Sequence, residues 1–404
     1  MKLLYLTQLV PYPIDAGAKV RMYHVLQQMA ASGHDVTLLA FRRDNDSEAA
    51  LEHLRQYCVD IVTVPIRRSR LADIGHLLRS VVSGEPWMIT RDYQEAMMVA
   101  VDQVVSQTAF DVIQADQLWM AQYALMARQV SVKQHFVTPR LVLDQHNAMF
   151  LIPQRLGESS RNWAIKLLMM REARVMKRYE LQVCAKFDAV VWVTDDDRAA
   201  FRPKADGTTI PICLDTSTKP LIAPHSQPCR VTFLGGLHWP PNAAGVTWFV
   251  EQVWPLVVEQ APDATLTVIG KNPPKSIDGA VGQVEATGYV DDPTPLLSET
   301  AAFIVPLHAG GGMRVKIIDA WSWGVPIVST TIGAEGIAYQ HDKHLMIADE
   351  PQPFADAVVA LLKNGAKRAE LRIAGREIVE RAFDWREQYP AWEQIWGVES
   401  VATD

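Results

Sequence analysis

Three consecutive glycines, Gly310, Gly311 and Gly312, stand just ahead of Arg314, Lys316 and Asp319. An apolar run, 302–306, ends before them, and the pattern predicts a short helix starting at about Met313. Glycines at such a turn let an anion approach free backbone N–H groups, where the helix dipole favours negative charge. Cations in a first helical turn oppose that dipole unless an anion lies between them, so Arg314 and Lys316 point to a bound anion. Asp319 lies about 10 Å along the helix from the last glycine, and its carboxylate can accept from two ribose hydroxyls. The set matches the diphosphate and ribose of one nucleotide. Read alone, it fits equally an ordinary glycine turn followed by a solvated acid.

A second glycine turn has the same logic. The apolar run 231–234 leads into Gly235 and Gly236, which would let the turn close on phosphate or sugar, and Asn242 is expected to cap the following helix. His146 follows another strand-like run, where it could donate to a hydroxyl or act only as a local hydrogen-bonding residue. Gly17, after the opening run, would permit close approach of a ligand.

Apolar runs at 3–7, 36–40, 61–64, 112–114, 141–143 and 189–193 alternate with helical stretches, the first of them about 19–32 before Gly33. A second series, 230–234, 265–269, 284–288, 302–306 and 326–329, follows a Pro/Thr/Ser-rich stretch. Alternation of buried runs and helices predicts an α/β chain with two doubly wound parallel sheets, of about six and of five or six strands, and a ligand cleft between them. The expected division is 1–215, a linker 216–229, a second domain 230–383, and a returning helix 384–404 whose Phe383, Trp385, Trp392 and Trp396 would brace the first domain.

The 404 residues, 49% hydrophobic and 21% charged, can bury a large core, and a net charge of -7 gives the chain no excess of cations for a nucleic-acid backbone. The opening run carries Gln8, Pro11, Tyr12 and Pro13, unlike a signal peptide or membrane span, so a cytoplasmic location is expected. Cys58, Cys184, Cys213 and Cys229 form no CxxC pair and read as reduced and structural.

The segment Asp319-Ala-Trp-Ser-Trp-Gly-Val-Pro resembles the Glu-Ala-Met-Ala-x-Gly-x-Pro signature of the retaining glycosyltransferases of family 4, which have the GT-B fold. The resemblance spans almost the whole chain, through the Gly17 loop, Gly33-His34-Asp35-Val36, 188–195, 210–215, Val268-Ile269-Gly270 and Phe383-Asp384-Trp385. It implies two Rossmann-like domains and transfer of a sugar, with retention, from a nucleotide-diphosphate donor, without a cofactor or bound metal. Asp319 takes the place of the family's ribose-binding Glu. The family's earlier Glu falls at Gly311 and is absent, so backbone groups of Gly310, Gly311, Gly312 and Met313 would replace it. The family's Arg and Lys near Gly235–Asn242 are also missing, which leaves Arg314 and Lys316 for the diphosphate. His146 lands where the family has a histidine near the donor sugar, and Lys271, Tyr289 and Val290 would line the base pocket. Such a transfer needs no enzyme base, because the leaving phosphate can take the acceptor's proton. Expected partners are the nucleotide-sugar donor and a glycan or lipid-linked acceptor. A nucleotide-sugar 2-epimerase of the same fold and an inactive binding module are the alternatives.

Three features are read otherwise. Asp195, Asp196 and Asp197 follow Thr194, which is expected to cap a helix with acids in its first turn, rather than to bind metal. His341 and His344 lack the company of metal ligands. The basic and apolar stretch 161–180 fits either a core-packed helix or one lying on the inner membrane surface.

Overall fold

The chain is described from a computed structural model over residues 1–66, 75, 76, 80, 83–160, 162–201, 205–225, 228–275, 277 and 280–397. Arg161, two residues of the expected linker (226 and 227) and the end of the expected returning helix (398–404) lie outside the described residues. Two compact units emerge: Met1–Cys213 with Gln388–Asp404, and Leu214–Glu387.

The first unit carries β1 (Lys2–Thr7), β2 (Asp35–Arg42), β3 (Asp60–Pro65), β4 (Val112–Asp116), β5 (Arg140–Gln145), β6 (Ala189–Trp192) and β7 (Thr208–Thr209), in spatial order β3-β2-β1-β4-β5-β6-β7. The second carries β8 (Arg230–Leu234), β9 (Thr265–Ile269), β10 (Gln283–Gly288), β11 (Thr300–Val305), β12 (Ile327–Ser329) and β13 (Met346–Ile347), in order β10-β9-β8-β11-β12-β13. Neighbouring strands pair in parallel throughout. Continuous apolar runs form the central strands because helices cover both faces; in β1 only Lys2 is exposed, whereas the edge strand β10 is largely exposed. Each sheet gains one short edge strand beyond the expected runs, β7 or β13, the latter within the short apolar run 345–348.

Both sheets reverse their strand order at one place, between β1 and β4 and between β8 and β11. In open parallel sheets ligands bind at this switch point, beyond the carboxyl ends of the strands. The fold therefore selects the loops after β1 and β4 in one unit, and after β8 and β11 in the other. Gly235 and Gly310–Gly312 follow β8 and β11, while Asp116 ends β4.

The aromatic tail is divided. Trp396 donates its indole N–H to Gln114 Oε1 at 2.7 Å, the Tyr389 hydroxyl accepts from the Cys213 N–H at 3.1 Å, and Trp392 is fully buried in the same unit. Phe383 and Trp385 stay in the second unit, where Phe383 lies 6.5 Å from Trp321 between ring centroids. The Pro/Thr/Ser-rich stretch is packed rather than slack: Arg376 donates to the carbonyls of Lys219 at 2.7 Å and Thr216 at 3.1 Å. Ile222 donates its N–H to the Trp323 carbonyl at 3.1 Å.

Candidate active site

In the second unit the two glycine turns meet around one lysine. β11 runs into the loop 306–314, with Gly310 at φ 130° and Gly312 at φ 72°, conformations that suit glycine. The helix that follows, Val315–Trp323, starts two residues later than expected and has no side-chain cap, so its first N–H groups are not met by a capping side chain. Lys316 stands in its first turn and reaches across to the β8 turn. Its Nζ donates to Asn242 Oδ1 at 3.0 Å and lies 4.3 Å from the Phe233 ring centroid. A Cβ at Gly235 would lie 2.7 Å from that Nζ, so a larger residue there would push the ammonium out of its place.

Burial, and then the nearby charge of Arg314, lower the Lys316 ammonium to about 7. A cation held at a helix N-terminus with a neutral partner is completed by an anion. Asn242 does not cap its helix. Pro240 opens helix Pro240–Trp248 with Trp239 at the cap position, and Asn242 lies inside, donating to the Gly236 carbonyl at 2.8 Å.

Arg314 serves the loop itself. It is buried and donates to the carbonyls of Gly311 and Gly312, the latter at 2.9 Å, and it lies 3.7 Å from the Glu335 carboxylate. Asp319, three residues beyond Lys316 and hence on the same helix face, pairs with Lys219, whose Nζ also lies 5.0 Å from the Trp323 ring centroid. Lys219 had no signal in the sequence, being 100 residues from its partner.

Lys271 and Tyr289 come together at the carboxyl ends of β9 and β10, with the Lys271 Nζ 4.8 Å from an exposed Tyr289 ring centroid. Val290, beside Tyr289, is half-buried. The Gly235 N–H donates to the Ile269 carbonyl at 3.0 Å and the Gly270 N–H to the Gly288 carbonyl at 2.8 Å. These bonds tie the ends of β8, β9 and β10 into one rim.

In the first unit the ends of β4 and β5 hold four ionisable groups. His146 Nε2 lies 2.9 Å from Asp116 Oδ1 and 3.6 Å from Asp144 Oδ2, and Arg21 clasps Asp144 through its Nε at 2.8 Å and a terminal nitrogen at 2.7 Å. Burial alone would lower the imidazole; Asp116 and then Asp144 outweigh it and raise His146 to about 9. Burial likewise pushes Asp144 up, but the Arg21 guanidinium prevails and holds it below the usual carboxylate range. Asp116, Asp144 and His146 place three ligand-type atoms within 4.8 Å of one another, and Arg21 already supplies a cation there.

The loop carrying His146 is held from below. Glu180 accepts from the N–H groups of Met149 at 2.7 Å and Phe150 at 3.0 Å, and Asp197 accepts from that of Ala148 at 3.0 Å. Thr194 caps the helix Asp195–Ala199 as expected, accepting from the Asp197 N–H at 3.0 Å. Gly17 is the first residue of helix Gly17–Ala31, which ends before Gly33 at φ 73° and brings Arg21 to the cluster.

Comparison with known proteins decides the family. Residues 228–364 match the family described as "Glycosyl transferases group 1", and residues 16–209 match the "Glycosyl transferase 4-like domain". The chain belongs to the group 1 glycosyltransferases.

This glycosyltransferase is 20% identical over 399 residues to an uncharacterised 44.6 kDa protein in the cps region of Klebsiella pneumoniae, covering 95% of this chain and 96% of that one. A phosphatidyl-myo-inositol mannosyltransferase of Mycobacterium leprae is 28% identical over 163 residues, 38% of this chain and 42% of that one. Among solved structures, Anabaena HepE in complex with UDP and glucose superposes with a TM-score of 0.68 at 14% identity, covering 98% of this chain and 99% of that chain. Sucrose-phosphate synthase from Thermosynechococcus elongatus gives 0.70 at 15% identity, covering 98% of each chain. These likenesses agree with the two parallel sheets in showing the GT-B fold.

Proposed function

We propose that this glycosyltransferase transfers a sugar, with retention of anomeric configuration, from a nucleotide-diphosphate donor to a glycan or lipid-linked acceptor at the inner face of the membrane. The observation that carries the reading is the Lys316 ammonium set between both glycine turns, beside an uncapped helix N-terminus and on the helix that bears Asp319. The diphosphate lies over Gly235, Gly236 and the backbone of Gly310 to Met313, with its charge met by Lys316. Arg314 keeps that backbone in shape. Asp319 takes the ribose, the Tyr289 ring and Lys271 take the base beside Val290, and Gly17 and His146 serve the sugar. The bond between the sugar's anomeric carbon and the phosphate oxygen breaks as the acceptor oxygen bonds to the same face, and the acceptor proton passes to the leaving phosphate. No metal is needed in this scheme, because protein cations and helix N–H groups meet the charge. A uridine donor is the first to try, since the solved HepE holds UDP and glucose.

The test is a thermal-shift screen of nucleoside diphosphates and their sugar conjugates, followed by transfer assays with and without EDTA. A ligand that binds the folded state raises its stability by mass action. Asp319→Asn keeps the shape and removes the charge; a charged hydrogen bond contributes about 1.5–3 kcal/mol, so donor affinity is expected to fall roughly ten- to a hundredfold. Unchanged calorimetric affinity in this variant sinks the ribose assignment.

Helix Trp163–Cys184 bears on the acceptor. Its later turns are core, with Ala173, Met176 and Val183 buried, but Trp163 is 78% and Leu167 65% exposed. Among the described residues no helix is long and apolar enough to cross a membrane. Peripheral docking through Trp163 and Leu167 is part of the proposal. Co-sedimentation with anionic vesicles is expected for the parent and lost in Trp163→Ser/Leu167→Ser; equal partition of both counts against it.

A further inference from the structure

The four charged groups beyond β4 and β5 carry an inference about protonation. Arg21 and Asp144 neutralise one another, both with fully buried side chains. Asp116 is fully buried as well, and among the described residues its one close cationic partner is His146. With a neutral imidazole the cluster holds a net negative charge away from water, which costs several kcal/mol; with an imidazolium it is balanced. Neighbours fix where the proton resides. Burial and the Asp144 charge push the Asp116 carboxyl up; against them, His146 and the Gln117 amide, which donates to Oδ2 at 3.3 Å, favour the carboxylate, and the Tyr5 hydroxyl lies 3.4 Å from Oδ1. Asp144 Oδ2, 3.6 Å from Nε2, favours the imidazolium.

The surrounding groups hold that state in place. From the end of β4, Gln117 has φ 66°, a positive value rarely taken by a side-chain-bearing residue, and its N–H donates to the Asp144 carbonyl at 2.8 Å. Arg21 is anchored by the carbonyls of Ile210 at 2.8 Å and Pro211 at 2.9 Å, and its guanidinium lies 5.3 Å from the Trp392 ring centroid. Tyr389 adds a phenol that burial keeps protonated, well above the ordinary tyrosine value. The groups facing the imidazole are thus Tyr5 from β1, Arg21 from helix Gly17–Ala31, Asp116 and Gln117 from β4, and Asp144 from β5, with Tyr389 behind Arg21. Among the described residues none accepts from His146 Nδ1.

We propose that Asp116 and Asp144 are positioning residues that keep His146 doubly protonated, so that it meets the donor sugar as a hydrogen-bond-donating cation and never as a base. The proposal rests on the reading of His146 as a donor-sugar residue. With Nε2 spent on Asp116, Nδ1–H is the donor left for a sugar hydroxyl, and no ring lone pair is left to take an acceptor's proton.

Histidine-selective 15N labelling of the full chain tests the protonation without using activity, with the His146 resonances assigned by His146→Gln. In the parent, both ring nitrogens are expected to carry protons from pH 6 to pH 8. A His146 that titrates near its ordinary value, around 6.5, overturns the proposal. In Asp116→Asn the titration should move at least tenfold in proton affinity into that window. Turnover should then fall with rising pH above the new midpoint, by up to tenfold per pH unit, with little change in donor KM, and recover on acidification. Tyr5→Phe, which removes only a hydroxyl, should move both readouts the same way by less, and serves if Asp116→Asn does not fold. A doubly protonated parent His146 whose variants turn over independently of pH would leave the electrostatics intact and overturn the role in transfer.

Discussion

Lys316→Met is expected to lower single-turnover transfer by about a hundred- to a thousandfold while weakening ground-state donor binding far less. Charge builds on the diphosphate as the glycosidic bond breaks, and removing one well-placed donor from such a site costs about that much. The position is hard to replace. Lys316 Nζ is fixed by Asn242 Oδ1 and the Phe233 ring, and Gly235 leaves room for it and for little else. Stability should move the other way. The folded ammonium is lowered to about 7 from an ordinary value near 10.5, so its protonation is penalised in the fold. That penalty is full below pH 7 and fades as pH rises towards the unfolded value. Without ligand, Lys316→Met should therefore melt higher than the parent at pH 7, while donor raises its melting point less. Arg314→Ala should differ in kind. It removes the donor to the Gly311 and Gly312 carbonyls, so it loosens the loop and weakens donor binding together with turnover. Calorimetric donor affinities beside single-turnover rates separate the cases. Parental turnover in Lys316→Met means that the glycine turns are connectors and no more.

What the sequence disclosed follows from distance along the chain. Buried parallel strands announce themselves because both faces are apolar, as in Leu3-Leu4-Tyr5-Leu6, whereas Thr208–Thr209 carries no pattern to read and Met346–Ile347 lies in a four-residue apolar run too short to stand out. The glycine turn and its cations lie within one strand, loop and helix, so their shared chemistry is visible in the order of residues. Asn242 departs from the expected cap for a local reason: Pro240 sets the helix start, so the residue with the best capping side chain falls inside the first turn. Lys219 on Asp319, Arg21 on Asp144 and Asp116 on His146 join residues 100, 123 and 30 apart. Arg21 reads as one of several polar residues in its helix, beside Lys19, His24, Gln27 and Gln28, and Asp116 as the polar end of a strand. Only the topology, which brings the ends of β1, β4 and β5 side by side, turns them into one buried charge set.

Arg21→Met should cost the first unit about 3–5 kcal/mol at pH 7, because breaking a buried ion pair leaves an uncompensated charge in the interior. The side chain of Met fills most of the volume, so the loss is electrostatic and polar: Asp144 loses its cation, and the carbonyls of Ile210 and Pro211 lose their donors. The pH dependence separates charge from packing. Arg21 depresses Asp144 in the fold, and a depressed carboxyl adds stability above its unfolded value, near 3.9, that is lost as pH falls through the folded value. In the variant Asp144 has no guanidinium, burial then favours its protonated form, and it gives up little further stability on acidification. The gap between parent and variant should therefore narrow from pH 7 to pH 4.5, and adding Asp144→Asn to Arg21→Met should recover part of the loss at pH 7. On the alkaline side the parent has its own decline. His146 is raised to about 9 from 6.5, so its contribution is present below pH 6.5 and is lost as pH rises through 9. With two units in the chain, one melting curve would mix them, so hydrogen exchange of the β4 and β5 amides in rising urea is the measurement to make. A pH-independent gap, or one below about 1 kcal/mol at pH 7, would mean that Arg21 acts by packing and that the buried charges are not balanced as argued.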